Sequence, residues 1–137
     1  MPIDFIYDEA NDILLATATG LVTFAELRKH LNRESAARAL GYREIFDASP
    51  ATTDMTSDQV RALVSIMNDL MKRGPFGPTA VVTKNDVVYG MARMIEILAE
   101  LAGGPSIRVF RTLDEAKQWL IETRGAAAID KAPPSGV

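Results

Sequence analysis

The chain has 137 residues, and its 15 Lys and Arg against 18 Asp and Glu give a formal charge of −3. That length suits one domain rather than two, and 47% apolar with 24% charged residues is ordinary globular composition, which excludes global disorder. The acidic balance argues against a nucleic-acid binder, the lack of cysteine removes disulfides and thiol chemistry, and a single histidine is too little for a zinc cage, so neither metal nor cofactor is expected.

In chain order, Ile3–Tyr7 and Ile13–Thr19 are apolar runs joined by the Asp/Asn-rich break Asp8–Asp12, which predicts an antiparallel hairpin ended by Gly20. Thr23 with Glu26 forms a capping-box pattern, and Phe24, Leu27 and Leu31 share the apolar face of the helix it opens. His30 lies on this helix between Lys29 and Leu31 and reads as a solvated or capping histidine rather than a catalytic one. A short second helix through Ala36, Ala37 and Leu40, stopped by Gly41, leads into a strand over Tyr42–Asp47. A polar loop over 47–54 follows. Thr56 with Gln59 opens a helix to about Arg73, with Val60, Leu63, Val64, Met67 and Met71 on one face. Thr79–Thr83 reads as a buried strand, Asp86–Ala102 as a helix ended by Gly103–Gly104–Pro105, and Ser106–Phe110 as the last strand. Thr112 with Glu115 caps a last helix, and residues 125–137 form a tail without periodicity, so the domain is expected over 1–124.

The order ββαβαβαβα predicts an α/β fold: a five-stranded mixed sheet with one antiparallel strand, right-handed parallel crossovers and a cover of helices. No apolar run reaches the roughly 18 residues of a membrane span, and no signal-peptide pattern opens the chain, so a cytoplasmic location is expected.

Two stretches, Asp86-Val-Val-Tyr-Gly-Met-Ala-Arg-Met-Ile-Glu96 and Arg108-Val-Phe-Arg-Thr-Leu-Asp-Glu-Ala-Lys-Gln-Trp-Leu120, together with this element order, make the chain resemble the STAS/SpoIIAA-like fold, and more specifically the small bacterial STAS/SEC14-like domains. The resemblance spans roughly residues 3–122 and implies the fold more strongly than the function. It implies a non-enzymatic regulatory or protein-binding module related to anti-sigma-factor antagonists and switched by serine phosphorylation. The SEC14-like label implies the alternative, a domain for a lipid or other small apolar ligand. The antagonist phosphosite, Asp-Ser-Ser between a strand and the next helix, finds its nearest match in Asp47–Ala48–Ser49–Pro50. Aligning strand ends puts the phosphoacceptor at Ser49; aligning helix starts puts it at Ser57, beside Thr56. Both positions also have a plain structural use, as a residue before proline and as a helix cap.

Asp47, Thr83, Lys84, Asn85 and Arg111 follow strands and would border the end of the sheet where open α/β folds bind ligands, a polar rim without a nucleophile–base pair. On the Asp86–Ala102 helix, Val88, Met91, Ala92, Ile95, Leu98, Ala99 and Ala102 should face the sheet. Val87, Met94, Ile97 and Leu101 widen its apolar arc to roughly 220°, against a usual stripe of roughly 100° or more. The polar remainder is Tyr89, Arg93, Glu96 and Glu100. Such a helix needs a second cover; a symmetric homodimer is the expected one, with a neighbouring helix of the same chain or an apolar ligand beneath it as alternatives.

Overall fold

A computed structural model describes residues 3–123 of the chain; the expected tail over 125–137 lies outside the described residues. The hairpin β1 (Ile3–Asp8) and β2 (Ile13–Ala18) pairs antiparallel, with Phe5 opposite Ala16. Beyond β2 the sheet runs in parallel through β4 (Arg43–Asp47), β6 (Thr79–Val82) and β7 (Ile107–Phe110), in the spatial order β1-β2-β4-β6-β7. The expected five-stranded mixed sheet is the one observed.

Two short strands, β3 (Gly20–Val22) and β5 (Ala51–Thr53), pair in parallel as a separate ribbon. The sequence reads them as a strand end and a loop, because three residues are too few to show alternation. Of the helices, α1 (Phe24–Ala36), α2 (Ser57–Arg73), α3 (Asp86–Leu101) and α4 (Leu113–Glu122) occupy the expected places. Thr23, Thr56 and Thr112 cap α1, α2 and α4 by accepting the N–H of the residue three positions on, and Asn85 does the same for α3. The expected short helix after α1 is absent. Arg38 takes a left-handed φ of 59° and the N–H of Ala39 returns to the carbonyl of Glu34, which turns the chain instead.

Because the strand order advances in one direction, the right-handed crossovers stack α1, α2 and α3 on one face of the sheet and leave α4 for the other. Period-two alternation divides the strands accordingly. Ile13, Ile45, Ala80 and Val82 meet Ala116 and Leu120 of α4. Leu14, Ala16 and Phe46 face the other side, in a core with Ile3, Phe5 and Tyr42. The second helix packs chiefly on its neighbours α1 and α3, through Val60, Leu63, Val64 and Met67. No helix among the described residues is long and apolar enough to cross a membrane.

The α2–β6 connection contains one backbone position that requires glycine. A Cβ on Gly77 would lie 2.3 Å from the Tyr42 carbonyl oxygen and 2.8 Å from that of Gly41. This close approach lets the Gly77 N–H reach the Leu40 carbonyl at 2.7 Å and sets Phe76 against the core around Val60, Leu63, Val64 and Met67.

Candidate functional site

Between the sheet and the layer of α1, α2 and α3 lies a cavity of about 120 Å³. Its floor is Glu44 and Phe46 of β4, Thr79 and Val81 of β6, and Ile107 of β7. Its walls are Leu27 and Leu31 of α1, Leu63 and Met67 of α2, and Val88, Met91, Ala92 and Ile95 of α3. The β3–β5 ribbon and Met55 close one side, where Thr52 is exposed. The space persists because small side chains stand where larger ones would fill it: Ala48, Ala51 and Ala92 all line it. Most of this lining is apolar.

The exception is three ionisable side chains, His30, Glu34 and Glu44, at 4%, 2% and 6% exposure. Their positions follow from local structure. Leu27, His30, Leu31 and Glu34 are spaced i, i+3, i+4 and i+7, so all four share the inward face of α1. Glu44 alternates with Tyr42 and Phe46 and so points to the helix-covered side of β4. His30 Nε2 lies 3.2 Å from Glu34 Oε1 and 3.2 Å from Glu44 Oε2. Its ring is held edge-on between Phe5 and Phe46, at centroid distances of 5.7 and 5.5 Å. His30 Nδ1 and Glu34 Oε2 have no hydrogen-bond partner. The solvated histidine expected from the sequence is thus a core residue. The adjacent Lys29 is exposed, but on a helix the immediate neighbour does not share a face.

Burial holds the Glu34 carboxyl well above the ordinary carboxylate range, and the neighbouring Glu44 charge adds to the effect. Burial pushes Glu44 up as well, but its hydrogen bonds to Glu34 and His30, and the His30 charge, outweigh that and hold it low. The two carboxyls are therefore coupled, with Glu34 raised and Glu44 lowered by their contact with each other.

The residues expected at the strand ends are engaged locally. Asp47 accepts the Ser49 N–H at 3.0 Å, and Ser49 is half-buried. Thr56 is the α2 cap, in a complete capping box with Gln59, and Ser57 is exposed in the first turn. Thr83 is fully buried, and its hydroxyl accepts the Asn85 N–H at 3.1 Å. Lys84 is exposed. Arg111 pairs with Asp86 at 2.9 Å and stacks 4.0 Å from the Tyr89 ring centroid.

On α3, Val87, Ile97 and Leu101 are exposed, at 59%, 42% and 79%, while Met94 is half-buried against the core it shares with α2. The side of α3 that lines the cavity is instead Val88, Met91, Ala92 and Ile95, the residues expected to face the sheet. One residue of the expected polar strip is interior: Glu96, 9% exposed, accepts the Val109 N–H at 3.0 Å and pairs with Arg93. Ala102, expected to face inward, is exposed.

No protein-family model matches the sequence, and no curated protein matches it. Among solved structures, the chain is similar to an uncharacterised DUF3478-family protein from Shewanella loihica PV-4, described as having a SpoIIAA-like fold. The two share 15% identity at a TM-score of 0.54, over 86% of this chain and 93% of the other. At that identity the likeness speaks for architecture alone. Together with the strand order and the four helices described above, it gives this chain the SpoIIAA-like α/β fold.

Proposed function

We propose that this chain is a non-enzymatic binding module whose cavity takes a small ligand with a compact apolar body. The supporting observation is the partly open, largely apolar space of about 120 Å³ between the sheet and three helices. A cavity of roughly 150 Å³ lined by Leu, Ile and Phe admits benzene-sized molecules, and the apolar part of this lining has that character. The methionines Met55, Met67 and Met91 in its wall adapt their shape at little cost. A group that accepts or donates hydrogen bonds, carried at one end of the ligand, would meet His30, Glu34 and Glu44.

Native mass spectrometry of freshly purified protein tests this reading directly, and benzene or short-chain alcohols serve as probes. Replacing Ala92 with Leu should fill the space, abolish probe binding and leave the unfolding free energy within about 3 kcal/mol of the parent. Retention of probe binding by a folded Ala92→Leu variant would refute the cavity as the binding site.

A regulatory reading has one observation in its favour. The segment Ala51–Met55 lines the cavity and leads directly into the exposed Ser57 at the start of α2. Cavity occupancy could thereby be sensed by a protein partner at that helix start, where an added phosphate would meet free N–H groups. Ser57→Asp should then change partner affinity without altering probe binding.

A further inference from the structure

We propose that His30, Glu34 and Glu44 form a binding site for a divalent transition-metal ion, with zinc-like tetrahedral geometry, at the polar end of the cavity. The donor set is one imidazole nitrogen and two carboxylates, which suits Zn²⁺, Co²⁺ or Mn²⁺ rather than soft or monovalent ions. The three ligating atoms already lie within 4.8 Å of one another. The two distances from His30 Nε2, 3.2 Å each, match the edge of about 3.3 Å between ligands of a tetrahedral ion bound at about 2.0–2.1 Å. Two of the ligands stand at i and i+4 on the rigid helix α1 and the third on the central strand β4, so ordered elements preset the arrangement.

Two further observations point the same way. A single Nε2 faces two carboxylates at equal distance, an arrangement in which one metal ion would ligate all three groups at once. Glu34 Oε2 is also unpartnered although Glu34 is only 2% exposed and lines the cavity. A neutral imidazole with two ionised carboxylates balances the charge of a divalent ion, which makes burial of the cluster tolerable. Phe5 and Phe46 orient the ring by edge contacts in place of a hydrogen bond at Nδ1. The fourth ligand position would face the cavity and remain open to water or to a donor atom of a bound molecule. The metal site stands whether or not the cavity admits an organic ligand.

The full chain is titrated with Zn²⁺ and with Co²⁺ by calorimetry, and the Co²⁺ form is examined by visible absorption and by proton NMR. The chain contains one histidine, so its ring resonances report coordination without any variant. The expected result is one ion per chain, intense tetrahedral Co²⁺ bands and large paramagnetic shifts of the His30 ring. Glu34→Gln and Glu44→Gln should each weaken binding by at least the roughly 10–100-fold that loss of an outer-shell partner costs, while Asp58→Asn at the exposed start of α2 should leave it unchanged. Absence of binding by the folded chain would overturn the proposal. So would an unshifted histidine ring, or binding that survives both Gln substitutions, since the ion would then sit on surface carboxylates.

Discussion

Single residues in this molecule carry consequences that depend on one or two atoms. The Tyr7 hydroxyl donates to Asp12 at 2.8 Å, and this bond, with a smaller contribution from burial, raises the phenol from 10.0 to about 12. A raised acid binds its proton more tightly in the folded state. Its stabilising contribution is therefore complete below the unfolded value near 10 and is lost as pH rises through about 12. Denaturant melts across that window should show a smaller alkaline loss in Tyr7→Phe than in the parent. An identical pH dependence of the two proteins would dissociate Tyr7 from the effect. At Gly77 the constraint is steric, because any Cβ would press on the Tyr42 and Gly41 carbonyls. Gly77→Ala should cost about 1–3 kcal/mol, and a neutral result would mean that the connection relaxes freely.

Among the elements, α3 carries the most diverse set of tasks. Its inner side lines the cavity, Glu96 ties it to β7, and its outer side leaves Val87, Ile97 and Leu101 exposed. Glu96→Ala would leave the Val109 N–H without its acceptor, and the loss should be about 1–3 kcal/mol. Chemical denaturation measures this, and an unchanged midpoint would show that water replaces the carboxylate. The exposed apolar strip gives the homodimer expected from the sequence a specific test. Val87 and Leu101 are already solvent-facing, so replacing both with Glu should leave the fold intact while converting a dimer to a monomer in light scattering. A parent chain that is monomeric at every concentration would remove the strip's role as an interface. Met94 is the poorer choice for this test, because it also packs on the core shared with α2.

For the whole molecule, the alternation of extended and helical segments made the architecture legible, and the three threonine caps located α1, α2 and α4 to within a residue or two. The ribbon of β3 and β5 was not legible, since its pairing joins two three-residue segments about thirty positions apart. The polar cluster was half legible. Leu27-His30-Leu31-Glu34 and Tyr42-Glu44-Phe46 each carry ionisable groups on an apolar face, a pattern visible in the sequence once the helical and extended periods are applied to every residue. What no local pattern contains is that α1 lies over β4. That placement comes from the crossover and the β2–β4 pairing, and it alone brings the i, i+4 pair of α1 to Glu44. The void beside the cluster was equally hidden, because it arises from three alanines on separate elements.

The cavity between the sheet and α1–α3 is either an accessible binding site, as proposed, or a packing defect. Methyl-resolved NMR of the full chain titrated with benzene tests this most directly. Saturable shifts are expected at Val81, Met91 and Ile95, which line the space, with little change at the exposed Leu113 and Ile121 of α4. Shifts confined to exposed methyl groups, or none at any concentration benzene reaches in water, would contradict the proposed binding site.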